Sequence, residues 1–178
     1  MLNRSFIRDV LSVFKSKAAV IFLNIMKVSI IARVLGPELN GQLAIVLVYP
    51  SLFIVLGGMG IRKSSAYLIA KSPEIKTRIY KSLLQFWIIT SSVSILICSL
   101  LLKYATTINL EKTIIILIVT PIIFSLLNNY MSGIYLGKNR ISDFNKINWL
   151  PSLFNLIFII IFLILLNFKV EGVLVSIL

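Results

Sequence analysis

Apolar residues run along this chain in long blocks, separated by short polar clusters. Three blocks are almost free of charge: residues 79–102, residues 113–137 with Pro121 inside, and residues 150–168. Two more carry charges. Block 14–35 holds Lys27 and Arg33; block 42–69 holds Pro50, Gly57, Gly58, Gly60 and the pair Arg62-Lys63. A last apolar stretch covers residues 170–178. A membrane-crossing helix needs about 20 mostly apolar residues, whereas barrel strands alternate over about 10. The pattern therefore predicts an all-α, polytopic transmembrane helical bundle. It has five complete spans and the start of a sixth, within one domain over residues 1–178.

The polar clusters set the turns. Between the first two blocks lies Gly36-Pro37-Glu38-Leu39-Asn40-Gly41. Gly-Pro stops a helix and a second glycine permits a tight return, so the cluster predicts a short external hairpin loop. Pro50, the glycines at 57–60 and Pro121 mark places where helices can bend. The basic start is interrupted by Lys27 and has no small-residue cleavage site. It reads as a retained first span, not a signal peptide.

Composition agrees. The 178 residues are 58% hydrophobic and 13% charged, against about 45–50% and about 25% for soluble domains. Eighteen Lys and Arg face six Asp and Glu, a net charge of +12. Their placement explains the excess. Arg4, Arg8, Lys15, Lys17, Lys71, Lys76, Arg78, Lys81, Lys138, Arg140 and Lys146 fall on one side of the predicted topology. Arg33, Lys103, Lys112 and Lys169 fall on the other. The positive-inside rule then puts the N-terminus in the cytoplasm. Nucleic acid is not needed to explain the charge, and no aromatic-plus-basic platform supports it.

Chemistry is sparse. With no histidine and one cysteine, Cys98, metal sites and Cys/His catalysis are close to excluded. GGMG at 57–60 is not a phosphate loop. No paired carboxylates or nucleophile–base arrangement appears, so the expectation is no enzyme and no cofactor. The informative residue is Lys27, near the middle of the first span. A charge at that depth costs about 2.5–3.5 kcal/mol and normally faces a watery interior or a counter-charge. Yet Asp9, Glu38, Glu74, Glu111, Asp143 and Glu171 all lie near span ends or in loops. Lys27 then meets water, backbone carbonyls, a part outside this chain or an anionic ligand, unless it snorkels to an interface. Asn24 and Lys17 share its helical face.

Arg62 and Lys63 are readable as span anchors or as a cationic mouth for an anionic head group. Gln85, Ser92 and Ser99 form one polar row. Asn128, Asn129 and Ser132 form another, and Asn148, Ser152 and Asn155 a third. Each row suits helix–helix hydrogen bonds or a hydrated cavity wall. The candidate binding set is Lys27, Asn24, Arg62, Lys63, Asn128 and Asn155.

The stretch ARVLGPELNGQLAIVLVYPSLFIVLGGMGIRKSSAYLIAK, residues 32–71, resembles the first helical hairpin of Wzx-type polysaccharide and O-antigen repeat-unit flippases. These belong to the multidrug/oligosaccharidyl-lipid/polysaccharide exporter superfamily. GIYLGKNRISDFNKINWLPSLFNLIFII, residues 133–160, is similar to the segment entering that family's fifth span. The resemblance implies the first lobe of a two-lobed exporter, lacking its C-terminal lobe. It implies translocation of undecaprenyl-diphosphate-linked oligosaccharide across the bacterial inner (plasma) membrane for surface polysaccharide biosynthesis. On that reading Lys27 contacts the diphosphate, with Arg62 and Lys63 at the entrance. Rival readings are a drug or cation exporter of the same superfamily and a membrane-embedded polysaccharide polymerase or acyltransferase. A basic cavity disfavours the first, and short external loops disfavour the second. A scaffold without transport leaves Lys27 unexplained.

Overall fold

A computed structural model describes residues 4–71, 74, 76–105, 111–166 and 170–177. The described residues are helical, with no strand among them. The elements are α1 (Arg4–Gly58), α2 (Ile61–Lys71), α3 (Lys76–Ala105), α4 (Lys112–Gly137), α5 (Ile141–Ile159) and α6 (Val170–Ile177). A π-helical stretch, Ile160–Leu165, extends α5, closed by a bond from the Leu166 N–H to the Ile161 carbonyl.

Helix α1 is two arms. Inside it only Gly36 leaves helical geometry, at φ 74° and ψ 173°. That region is open to glycine and costly for residues with a Cβ. Pro37 follows directly as the first residue of the next arm, where its fixed φ fits and its missing N–H is not needed. The expected loop over residues 36–41 is therefore corrected to a single-residue joint. The chain reverses there, because Ser16, Lys17 and Val20 of the first arm line one cavity together with Arg62, beyond the end of the second. At 1.5 Å per residue the arms are about 48 and 33 Å long.

The block predicted over 42–69 is not one helix. It ends at Gly58, turns through Met59 (φ 30°) and Gly60 (φ 73°), and restarts as α2. The Gly60 carbonyl accepts the N–H groups of Lys63 and Ser64, starting the new helix. The expected bends at Pro50 and Pro121 do not interrupt their helices. Block 150–168 also starts earlier than predicted. The polar run before it is helical from Ile141, with the Arg140–Asp143 ion pair (2.6 Å) at its first turn.

Among the described residues four helical segments are long and apolar enough to cross a membrane, counting both arms of α1 and the following α2 as one. Their surfaces suit that role. Phe14, Phe22 and Val55 are 70%, 63% and 74% exposed, within a broad apolar exterior along α1, α3 and α5. Soluble monomers rarely expose contiguous apolar area on this scale. Hydroxyls in these helices mostly bond back to their own turn: Ser29 to Ile25, Ser91 to Trp87 and Thr120 to Ile116. A serine or threonine satisfied this way can sit in lipid.

The core is built around α4, where Ile118, Ile122, Leu126 and Tyr130 are buried. Tyr130 ties three helices together. Its hydroxyl donates to the Gly57 carbonyl at 2.7 Å and lies 3.0 Å from the Thr90 hydroxyl. Gly57 is in the last turn of α1, where carbonyls lose their helical donors. Tyr130→Phe leaves that carbonyl unpaired in an apolar core, which should cost about 1–3 kcal/mol. A lowered unfolding temperature in nanodiscs, with no such loss for Tyr67→Phe on the exposed face of α2, is the expected result.

Glycines let α2 lie directly on α4. A Cβ on Gly133 would fall 2.6 Å from the Arg62 carbonyl oxygen and against the Ser65 hydroxyl. One on Gly137 would fall 2.8 Å from the Ala66 carbonyl oxygen. The pair is spaced G-x-x-x-G, the spacing that lets membrane helices approach closely.

Candidate functional site: an acid-free polar cavity

The close α2–α4 contact carries Arg62 to the polar side of α4. There a cavity of about 290 Å³ is lined by Arg62, Ser125, Asn128, Asn129, Ser132 and Asn148. Every lining side chain is polar, in contrast to the largely apolar exterior along α1, α3 and α5. The reason is local. Positions 125, 128, 129 and 132 of α4 fall on one face at helical spacing, and Asn148 faces them from α5. Gly58 adds shape: a Cβ there would lie 2.9 Å from the Asn129 amide nitrogen.

A second cavity, about 370 Å³, adjoins the first by sharing Arg62 and Asn148. Its walls include Ser16, Lys17, Val20 and Asn145. Together the two hold two cations, four asparagines and no carboxylate. Several amide nitrogens are already engaged. Asn148 donates to the Phe144 carbonyl at 2.6 Å, Asn145 to the Ser12 hydroxyl at 2.8 Å, and Asn128 to the Ile147 carbonyl at 3.4 Å. Their amide oxygens remain as acceptors, while Arg62 and Lys17 supply donors. The set matches a ligand with both anionic and hydroxyl groups.

The six predicted residues are placed as follows. Arg62 and Asn128 meet in the polar cavity. Arg62 and Lys63 are both exposed, and only Arg62 is part of that cavity's wall. Asn155 lies two turns away, donating to the Ser176 carbonyl at 2.7 Å and so holding α6 against α5. Lys27 belongs to the inward stripe of the first α1 arm, with Ser16, Val20, Leu23, Ile31 and Leu35, all buried or half-buried. It has no hydrogen bond or ion pair among the described residues. Asn24 flanks that stripe and is exposed, as is Lys17. The row Gln85, Ser92 and Ser99 faces largely outward, while Leu83, Ser91, Ser94 and Cys98 face the core.

The candidate binding set leaves out Asn129, Ser132 and Asn148, which the polar rows had placed on a possible cavity wall, and Ser125 and Asn145, which no row contained. Their signal was present in part: the asparagine pair 128–129 and the spacing 145–148 both put amides on helix faces. Joining them to Arg62 required the fold. No family model, curated protein or solved structure matches this chain.

Proposed function

We propose that this chain is a membrane-embedded lobe of a flippase for lipid-linked oligosaccharides, and that the polar cavity around Arg62 receives the substrate's anionic, hydroxyl-rich head. The single observation that carries the reading is an all-polar, acid-free cavity with Arg62 in its wall, inside an otherwise lipid-compatible bundle. A drug or cation exporter needs a carboxylate where its cargo sits, and this cavity offers none. No covalent chemistry is part of the proposal.

In this reading the two α1 arms, α3, α4 and α5 with its π extension make five crossings, and α6 begins a sixth. The end carrying Lys17, Arg62, Arg78 and Lys138 faces the bacterial cytoplasm by the positive-inside rule, with the N-terminus on that side. A second lobe completes the transport path. The substrate class is the undecaprenyl-diphosphate-linked repeat unit of a surface polysaccharide.

Binding tests the cavity directly. A charge-assisted hydrogen bond is worth about 1.5–3 kcal/mol, or roughly 10- to 100-fold in affinity. Arg62→Ala should therefore weaken binding of a short-chain polyprenyl-diphosphate sugar to the nanodisc-embedded chain by that factor, and Lys63→Ala should change it little. Equal affinity in wild type and Arg62→Ala, measured by calorimetry, would remove the cavity from the mechanism.

A further inference from the structure

The polar cavity has a neighbour of opposite character on the other side of the α4–α5 contact. This groove, about 380 Å³, is walled by Phe124, Leu127 and Met131 of α4 and by Ile147, Leu150 and Pro151 of α5. Lys146 and Asn128 are its polar members. Asn128 belongs to both spaces and so borders the polar cavity on one side and the apolar groove on the other.

The seam it closes is held weakly, and the sequence explains why. Pro151 has no N–H, so the carbonyl four residues earlier, that of Ile147, loses its helical donor. Asn128 supplies the substitute across the seam, at 3.4 Å, near the outer limit for a hydrogen bond. A stronger acceptor arriving at Asn128, such as a phosphate oxygen, competes with a carbonyl held at that distance. Arg62 stands on the polar side of Asn128 and Lys146 on the apolar side, so a phosphate at the seam meets a cation on each.

We propose that the α4–α5 seam is a lateral site for the hydrocarbon chain of the same lipid whose head occupies the polar cavity. The phosphate lies over Asn128 between Arg62 and Lys146, and the chain lies in the groove against Leu127, Met131 and Leu150. The occupant is an anionic lipid, which on the proposed function is the isoprenoid chain of the substrate itself. The groove's continuity with an acid-free polar cavity, and the cation at its rim, select an anionic amphiphile over a neutral bilayer lipid. This proposal rests on the reading of the polar cavity as a head-group site.

The test uses the full chain in nanodiscs and two photoreactive probes carrying a diazirine in the hydrocarbon: a geranylgeranyl diphosphate and a phosphatidylcholine. Peptide mapping should place the diphosphate probe on Leu127, Met131 and Leu150 in several-fold excess over the phosphatidylcholine probe. Unlabelled geranylgeranyl diphosphate should compete it away. Leu150→Trp, which fills the groove from its exposed side, should lower that labelling about tenfold while inorganic diphosphate still binds. Leu127→Trp, made from the facing helix, should do the same, and circular dichroism of both variants checks their folding. Equal labelling by the two probes, or full labelling in both folded variants, overturns the seam proposal, while retained binding of inorganic diphosphate leaves the head-group cavity standing. If neither the prenyl diphosphate nor inorganic diphosphate binds, the cavity reading fails and the seam proposal falls with it.

Discussion

Gly133→Leu is expected to detach α2 from α4 and to abolish ligand binding at the polar cavity. The Cβ alone would sit 2.6 Å from the Arg62 carbonyl oxygen and 3.1 Å from the Arg62 Cα. Both are backbone atoms, so no side-chain rotation relieves the overlap. Overpacking typically costs about 1–3 kcal/mol where neighbours can shift. Here an entire helix must move, and the cost should reach or exceed the upper end. Gly57→Ala provides the contrast. Its Cβ would meet only the Leu126 methyls, at 2.9 and 3.1 Å, and those can turn away. Thermal unfolding should drop sharply for Gly133→Leu and little for Gly57→Ala. Trypsin should cut faster at Arg62 and Lys63 in the first variant alone. A Gly133→Leu protein with wild-type melting and wild-type cleavage would mean that α2 is not packed as described.

The second large effect concerns Lys27, and its two readouts should move in opposite directions. Its side chain lies on the inward stripe of the first α1 arm, half-buried and without a partner among the described residues. An unpaired charge in the middle of a membrane helix costs about 2.5–3.5 kcal/mol. Lys27→Leu removes that cost and continues the apolar run from Leu23 to Ile31. The variant should therefore unfold at a higher temperature than wild type. If the amine is kept for an anionic passenger, as proposed above, the same variant should lose export of surface polysaccharide in cells that depend on this protein for it, and Lys27→Arg should retain it. Reduced stability in Lys27→Leu would point to a structural role for the amine. Undiminished export would separate Lys27 from transport.

Much of the architecture was readable from apolar block length. The blocks at 79–102 and 113–137 match α3 and α4 to within a few residues, because uninterrupted apolar runs between charged ends leave a helix little choice. The Gly36-Pro37 turn was also legible, since glycine's access to positive φ and proline's preference for a helix start act locally. Tertiary decisions were not. The glycines at 57–60 did mark the break before Ile61, but the docking of α2 on Gly133 and Gly137, more than sixty residues away, was not visible. The start of α5 at Ile141 was hidden because a polar run at the end of a bundle reads as a loop. The π-helical stretch lies in IIFLIL, where no residue type signals it.

The site was half-legible for a related reason. Depth alone singled out Lys27, and charge singled out Arg62. Which polar row would face Arg62 depended on helix rotation. The row 85–92–99 turned largely outward, while Asn128 and Asn129 turned toward Arg62, and a row's polarity alone does not say which way its helix is rotated. Asn155 went to a structural bond with α6 because a backbone carbonyl lay within reach.

The joint at Gly36 has a mechanical consequence. Two stiff rods pinned at one residue move relative to each other through two torsions alone, with no loop to absorb the motion. Lys17 lies nineteen residues from the pin, a lever of about 28 Å, so a swing of about 5° carries it roughly 2.5 Å. Arg62 rides beyond the tip of the opposite rod, held to α4. Small rotations at a glycine near one face of the bundle thus set the gap between two cations near the other, and a substitution stiffening position 36 would be felt at the far mouth before anywhere else.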